Sequence, residues 1–255
     1  MELGLKGKRA LISGASGGIG RETAKLLAEE GAETIVIGRR QAELESLARE
    51  ITDKGGSRPV IVVEDITKRD AIARVRDKVI GEKGGVDLLI NNLGQARPFE
   101  IETPDSDWDE AFELNFTPPR KLTEAFLAGM RERKFGRIIN LTSTSEPTHV
   151  SGSNTSKAAL VIWAKGLSRL VARDGVTVNC VTPGILITAQ ILNHVMPRQM
   201  PTDADKQRFL ETEIPMRHFG EPADAANLIA FLCSDKAKYL TGQRIYVDGG
   251  WKRSI

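Results

Sequence analysis

The chain has 255 residues, of which 36 are lysine or arginine and 34 are aspartate or glutamate, so its formal net charge is +2. This length fits one or two domains, and the balanced charge excludes the strong basic excess that is typical of nucleic-acid-binding proteins. No run of 18 apolar residues is present, so we expect no membrane span. The first residues contain no signal-peptide core, which indicates a cytoplasmic protein. The two cysteines, Cys180 and Cys233, are too few for a disulfide framework or a zinc site, so we expect buried thiols and no bound metal.

Short apolar runs alternate with amphipathic stretches along the whole chain. The predicted strands are residues 9–12, 34–37, 59–63, 88–91, 137–141, 177–181 and 245–247. The predicted helices are residues 19–30, 41–54, 68–83, 105–130, 156–173 and 223–232, the fourth kinked or broken at Pro118 and Pro119. This alternation indicates βαβ units, and near-continuous apolar strands are typical of a parallel sheet covered on both faces. We therefore predict an α/β fold in which residues 1–255 form a single domain around one doubly wound, Rossmann-type parallel sheet.

One long segment, residues 188–216, shows no regular apolar pattern. It contains Pro197, Pro201 and Pro215 and lies between the last two βα units. Long irregular segments inside compact domains often cover a ligand. We predict a substrate lid at 188–216, with a plain linker as the alternative.

A glycine-rich loop follows the first predicted strand and opens the first predicted helix. It contains Gly14, Ser16, Gly18, Ile19 and Gly20. Glycines at these places allow a tight turn and let a pyrophosphate approach backbone N–H groups at the helix N-terminus, where the helix dipole favours anions. An ordinary glycine-rich turn is the alternative, but the position at the first βα junction favours a dinucleotide site.

The spacing of these glycines resembles that of the short-chain dehydrogenase/reductase family, and the resemblance runs over essentially the whole chain. Three further segments are similar to cofactor-binding segments of that family, and they contain Asp65 and Ile66, Asn91 and Gly94, and Pro183, Gly184 and Thr188. The resemblance implies that the first segment holds the adenine and that the last clamps the nicotinamide carboxamide. Leu93 departs from the family's Asn-Asn-Ala-Gly pattern.

The resemblance also implies a set of catalytic residues. Asn115 stands at the position of the family's catalytic asparagine, Ser143 at that of the serine and Lys157 at that of the lysine. In this family's scheme Lys157 would also bind the nicotinamide ribose, Ser143 would orient the substrate oxygen, and Asn115 would keep a proton-relay water.

The family's tyrosine is missing from the position where it is expected. Ser153 stands four residues before Lys157, and both tyrosines of the chain, Tyr239 and Tyr246, lie near the C-terminus. The Ser-Asn pair at 153–154 is similar to a 3-oxoacyl-carrier-protein reductase-like subset of the family. A serine hydroxyl is a weaker acid than a phenol, so a water held by Ser143, Ser153 and Lys157, or the imidazole of His149, would have to deliver the proton.

The residues after the second strand indicate the cofactor. Arg39 and Arg40 follow Gly38, where many NAD-dependent enzymes carry an acidic residue. Two guanidinium groups would pair with a 2′-phosphate, so we predict NADP, with NAD as the alternative.

Taken together, these features predict an NADP-dependent carbonyl reductase or alcohol dehydrogenase that acts on a small carbonyl or alcohol substrate. A cofactor-binding sensor or non-catalytic partner subunit is the main alternative, because the tyrosine is missing. Apolar residues on more than one face of two helices, Phe126, Leu160, Trp163 and Leu167 among them, indicate an oligomer. The family resemblance implies a homotetramer.

Overall fold

The computed structural model describes residues 2–96, 98–144 and 146–254. Seven strands form one parallel sheet in the order β3-β2-β1-β4-β5-β6-β7. Their bounds are β1 Arg9–Ser13, β2 Glu33–Gly38, β3 Val60–Val63, β4 Leu88–Asn91, β5 Gly136–Leu141, β6 Val176–Pro183 and β7 Arg244–Val247. The strand order reverses between β1 and β4, which opens a crevice at the carboxyl ends of these strands. The predicted α/β class with a doubly wound parallel sheet is confirmed.

Helices cover both faces of this sheet. Their bounds are α1 Gly18–Glu29, α2 Gln41–Asp53, α3 Ala71–Lys83, α4 Asp105–Asn115, α5 Thr117–Glu132, α6 Gly152–Val171, α7 Met196–Gln199, α8 Asp203–Thr212 and α9 Pro222–Cys233. One core lies between the sheet and helices α1, α2 and α9, and the other lies between the sheet and helices α3, α5 and α6. Successive residues of β1 alternate between the two cores, as the period of a strand requires: Ile12 enters the first core and Leu11 the second.

Two helix boundaries differ from the prediction in ways that affect the site. The predicted helix 105–130 is broken into α4 and α5, and Pro118 and Pro119 lie in the first turn of α5, where a missing N–H costs nothing. Helix α6 begins at Gly152 rather than at residue 156. Ser151 caps this helix by accepting a hydrogen bond from the backbone N–H of Asn154, so residues 153 and 154 lie in its first turn.

The prediction of an irregular segment at 188–216 is wrong. Residues 191–195 form a π-helical turn that continues into α7, and α8 follows after a capping box between Thr202 and Asp205. Pro197 is the second residue of α7 and directly follows the junction with the π-helical turn. Met196 and Met200 pack with Ile185 in a small apolar cluster, which attaches the segment to the end of β6.

None of the helices in the described part of the chain is long and apolar enough to cross a membrane. Within residues 2–96, 98–144 and 146–254, no group of three or more His, Cys, Asp or Glu side chains could hold a metal ion.

Candidate functional site

The glycine-rich loop packs so closely that larger residues do not fit. Gly14 and Gly18 have positive φ angles of 67° and 55°. A Cβ on Gly20 would lie 2.5 Å from Nδ2 of Asn92 and 2.6 Å from the carbonyl oxygen of Gly14. The N-cap of α1 is Gly17, which has no side chain to cap the helix, so the first N–H groups of α1 remain available to an anionic ligand. Ile19 packs against the first core, which fixes this turn of α1 against the sheet.

Asn92 ties the loop to the end of β4. Its Nδ2 donates to the carbonyl oxygens of Ser13 at 3.2 Å and Gly14 at 3.1 Å. The hydroxyl of Ser13 in turn accepts from the backbone N–H groups of Asn92 and Leu93, at 3.1 and 3.2 Å. These bonds hold the carboxyl ends of β1 and β4 together at the crevice. The sequence did not indicate this role of Asn92, although Asn92 lies within the segment 91–94 that resembles the family's Asn-Asn-Ala-Gly pattern.

Asn91, which we predicted at the cofactor, points its side chain into the second core. Its Nδ2 donates to Oδ1 of Asn140 at 2.9 Å and to Oγ1 of Thr123 at 3.1 Å. The side chain is fully buried. It therefore links β4 to β5 and α5 below the crevice.

Two arginines flank the glycine-rich loop. Nη2 of Arg40 lies 3.3 Å from both the carbonyl oxygen and the hydroxyl of Ser16. Nη1 of Arg39 lies 4.0 Å from Oδ2 of Asp65, and 70% of the Arg39 side chain is exposed. Asp65 is fixed by Thr67, whose hydroxyl donates at 2.7 Å, and Ile66 is buried beside it. Exposed guanidinium groups at this position can contact a phosphate without first losing a buried partner.

The chain after β6 returns to the loop. Gly184 donates its N–H to the carbonyl of Val247 at 2.8 Å, which holds the turn after Pro183 against the end of β7. The methyl group of Thr188 lies 3.1 Å from the place where a Cβ of Gly18 would stand. The start of the 188–216 segment therefore lies directly over the glycine-rich loop.

Lys157, Asn115 and Gly94 meet on the other side of the crevice. Nζ of Lys157 donates to the carbonyl of Leu93 at 2.8 Å, and burial lowers the pKa of this lysine from 10.5 to about 8. A Cβ on Gly94 would lie 3.1 Å from both Lys157 Nζ and Asn115 Oδ1. Oδ1 of Asn115 accepts from the N–H of Gln95 at 3.0 Å, so the break between α4 and α5 fixes the loop after β4.

Ser143 contacts two residues, Asn154 and Arg244, to which the sequence analysis gave no role in the site. Its hydroxyl donates to Oδ1 of Asn154 at 2.5 Å. Its carbonyl oxygen accepts a hydrogen bond from Nη2 of Arg244, and Nε of Arg244 donates to Oγ1 of Thr182 at 3.0 Å. Only the folded structure could show these contacts, because 101 residues separate Ser143 from Arg244.

Ser153 and His149 have other partners. Oγ of Ser153 lies 3.0 Å from Oγ of Ser151, the cap of α6. His149 is exposed, and its Nδ1 lies 3.3 Å from Oγ1 of Thr148. Tyr239 is 98% exposed. The described contacts thus join Ser143 to Asn154 and join Ser153 to the helix cap.

Residues near the C-terminus connect the loop after β5 to α8. The carboxylate of Glu146 accepts from the backbone N–H groups of Ser254 at 2.7 Å and Arg253 at 3.0 Å. Hydrogen bonds from Ser254 and Arg253 hold the pKa of Glu146 at about 2. Nη2 of Arg253 also pairs with Oε2 of Glu213 at 2.9 Å, and the ring of Trp251 packs edge-on against Phe209 of α8 at 5.7 Å.

This fold and crevice define a dinucleotide-binding oxidoreductase scaffold, and the comparisons agree. A family model described as enoyl-(acyl carrier protein) reductase matches residues 14–252. The chain is 36% identical over 253 residues to nodulation protein G of Rhizobium sp. (strain N33), with 96% of this chain and 97% of that protein covered. It is 36% identical over 255 residues to the 3-oxoacyl-[acyl-carrier-protein] reductase FabG of Vibrio cholerae, with 97% and 98% covered. The chain belongs to the short-chain dehydrogenase/reductase family.

Solved structures show the same relationship. The L-sorbose reductase of Gluconobacter frateurii, solved in complex with NADPH and L-sorbose, superposes with a TM-score of 0.93 at 31% identity, and all of both chains is covered. YwfH, described as an NADPH-dependent reductase involved in bacilysin biosynthesis, superposes with a TM-score of 0.93 at 27% identity, with 98% of this chain and 100% of that chain covered. The predicted family is confirmed.

Proposed function

We propose that this protein is an NADPH-dependent reductase of small carbonyl compounds, able to run the reverse alcohol oxidation. The observation that carries the proposal is the cluster of Lys157, Asn115 and Gly94 at the crevice beside an open glycine-rich loop. A buried lysine whose pKa is lowered to about 8 is typical of a functional site. Of the two solved structures that share the fold closely, the L-sorbose reductase was solved in complex with NADPH, and YwfH is described as an NADPH-dependent reductase.

The residues present fit a dinucleotide with a 2′-phosphate. Gly20 lies close to Gly14 and Asn92, so the loop has no room for a side chain at this position. The backbone N–H groups at the start of α1 are not capped, and a pyrophosphate would bind to them. Arg39 and Arg40 would hold the 2′-phosphate by charge-assisted bonds. NADPH, when bound, supplies the hydride, with Asp65 and Ile66 at its adenine and Pro183, Gly184 and Thr188 at its carboxamide.

The remaining side chains of the site position the reactants. Lys157, held by Leu93, would bind the nicotinamide ribose through the space that Gly94 leaves open. Asn115 would keep the loop at Gln95 in place and support a water near Lys157. Ser143 would orient the substrate oxygen.

We further propose that the chain belongs to a subset that works without the usual tyrosine. Because Ser153 replaces the phenol, the proton for the product alcohol comes from a water near Lys157 or from His149. Proton transfer by a positioned group contributes about 10²–10⁴-fold, so turnover should be slow and fastest with activated carbonyls. If His149 is the acid, His149→Ala removes most of the turnover; if water is the acid, this variant keeps it.

A cofactor-binding sensor or non-catalytic partner subunit is a second candidate. The observation that favours it is Ser153, whose hydroxyl lies at the helix cap beside Ser151. The two candidates differ in one measurement. Purified protein is incubated with NADPH that carries deuterium at C4 and with a panel of ketones, sugars and 3-oxoacyl thioesters. Deuterium in a product alcohol supports the reductase, whereas tight NADPH binding with no transfer supports the sensor.

Two structural proposals accompany the function. The segment 188–216 acts as a lid, because it begins over the glycine-rich loop at Thr188.

The protein assembles as a homotetramer, because α6 exposes 74% of Ile162 and 69% of Leu170, an apolar surface that a second subunit can cover. Light scattering that reported a monomer at micromolar concentration would refute this assembly. We also propose a cytoplasmic location, which suits the free buried thiols of Cys180 and Cys233.

A further inference from the structure

The contact between Ser143 and Asn154 leaves the site in need of a hydrogen-bond donor. A serine hydroxyl has one proton, and that of Ser143 is directed to Oδ1 of Asn154 at 2.5 Å. A hydroxyl in this arrangement can only accept further hydrogen bonds. A carbonyl oxygen, and the alkoxide that replaces it during reduction, can also only accept. The Ser143 hydroxyl therefore cannot donate to the substrate oxygen while it donates to Asn154. It can orient that oxygen only through a neighbouring group that donates the hydrogen bond.

The amide nitrogen of Asn154 is such a group. It carries two N–H donors, and among the residues that the structure describes Nδ2 has no hydrogen-bond partner, since the hydrogen bonds of Asn154 use Oδ1 and the backbone N–H. Nδ2 is attached to the same carbon as Oδ1, so it lies next to the Ser143 hydroxyl. Asn154 is half-buried, which leaves it accessible to a substrate.

The position of Asn154 on α6 also suits this role. It precedes Lys157 by three residues, so the two side chains are neighbours on one helix surface. It lies in the first turn of a helix of 20 residues, where the helix dipole stabilises negative charge. The donor, the buried lysine and the serine thus surround one end of the crevice.

We propose that Asn154 is a catalytic residue that donates a hydrogen bond from Nδ2 to the substrate carbonyl oxygen and stabilises the alkoxide formed from it. This inference rests on the proposed reductase function. The nicotinamide cofactor, when bound, would supply a hydride with its electron pair to the carbonyl carbon, and the π pair of the carbonyl would move onto the oxygen that Asn154 contacts. Asn154 would keep its protons throughout, and the proton that converts the alkoxide to the alcohol would come from the water near Lys157 or from His149.

Two substitutions separate donation to substrate from mere support of Ser143. Asn154→Asp keeps the oxygen that accepts from Ser143 but replaces the donor with an anionic oxygen. Asn154→Ala removes both. Loss of one oxyanion donor typically lowers kcat by about 10²–10³-fold, so we expect both variants to lose at least tenfold in kcat while NADPH affinity and melting temperature stay unchanged. Asn227→Asp, the same chemical change at an exposed position of α9, serves as the control and should keep wild-type kcat.

The outcome that would overturn the assignment is equally specific. If Asn154→Asp retains wild-type kcat, the side chain acts only as an acceptor for Ser143, and the proposal is wrong. Retention of activity by Asn154→Ala would exclude any catalytic role.

A binding measurement gives a readout that does not depend on turnover. Trifluoroethanol, an acidic alcohol, mimics the alkoxide and is titrated calorimetrically into protein saturated with NADP⁺. We expect Asn154→Asp to bind it at least tenfold more weakly than wild type and Asn227→Asp to bind it equally well. If wild type reduces no carbonyl, the proposed function fails and this titration alone decides the role of Asn154. Equal binding by wild type and Asn154→Asp, or no binding by wild type, overturns the inference.

Discussion

Removing the buried charge of Lys157 should change the pH dependence of stability in a way that isolates this one group. Burial lowers the pKa of Lys157 from 10.5 to about 8, and one pKa unit corresponds to about 1.4 kcal/mol. Keeping this ammonium group charged in the cofactor-free protein therefore opposes folding by roughly 3 kcal/mol at neutral pH. Lys157→Met removes this unfavourable contribution and so raises the free energy of unfolding. The loss of the hydrogen bond to the carbonyl of Leu93 offsets about 1.5–3 kcal/mol of this increase.

The direction of the pH dependence follows from the two pKa values. Between pH 8 and 10.5 Lys157 binds more protons in the unfolded chain than in the folded one, so the contribution of this group to the free energy of unfolding rises with pH. Relative to Lys157→Met, wild type should gain roughly 1 kcal/mol between about pH 7 and about pH 9. Burial raises the pKa values of the Cys180 and Cys233 thiols to about 11 and about 12. Both proteins share these thiols, so their contribution cancels in the difference between wild type and Lys157→Met.

Urea unfolding followed by tryptophan fluorescence, at a series of pH values and equal protein concentrations, measures this difference. Lys165→Met provides the control, because Lys165 lies on the same helix and is exposed. The free energy of unfolding of Lys165→Met should differ from that of wild type by the same amount at every pH from about 7 to about 9. If the difference in the free energy of unfolding between wild type and Lys157→Met stays constant from about pH 7 to about pH 9, the reasoning is refuted.

Three further changes test other parts of the site. The double change Arg39→Ala, Arg40→Ala should narrow the preference for NADPH over NADH by about 1.5–3 kcal/mol per lost contact in calorimetric titrations, and equal affinities in wild type would contradict this. Gly20→Ala should prevent cofactor binding and lower the free energy of unfolding by about 1–3 kcal/mol, because its Cβ would lie 2.6 Å from a backbone oxygen of the loop. Gly166→Ala, with no atom within 4 Å of the new Cβ, should instead stabilise by about 1 kcal/mol, so equal effects of the two changes would argue against steric exclusion. Arg244→Met should lower kcat about tenfold, as expected for one lost charge-assisted bond, with unchanged NADPH affinity; an unaltered kcat would show that this guanidinium does not position the backbone after β5.

The sheet could be predicted from the sequence because its strands are buried on both faces and read as continuous apolar runs. The start of α6 could not, because Gly152, Ser153 and Asn154 are small or polar residues that are as common in loops as in the first turn of a helix. The helices at 188–216 were missed for a related reason. The prolines there lie at helix starts and connections, which a propensity argument cannot distinguish from irregular chain.

Spacing carries part of the information on the candidate site. The glycines after β1 follow from the order of elements along the chain, and the place of Lys157 follows from the resemblance to the family's motif. The contacts of Ser143 do not, because its partners Asn154 and Arg244 are set by how the end of β5 meets α6 and β7. A tertiary contact between polar residues leaves no periodic pattern in the sequence.

The bonds of Arg253 and Ser254 connect the loop after β5 to the end of α8. Glu146, three residues after Ser143, accepts their backbone N–H groups, while the Arg253 guanidinium holds Glu213 at the end of α8. Displacement of α8 must either break the Arg253–Glu213 pair or pull the backbone beside Ser143 with it. The ion pair is exposed and contributes at most about 1 kcal/mol, whereas the carboxylate bonds to two N–H groups are stronger. We therefore expect the ion pair to break first, and ionic strength to set how often α8 moves independently of the loop that carries Ser143. If residues 188–216 act as the proposed lid, product release should become faster with added salt while the geometry at Ser143 is kept.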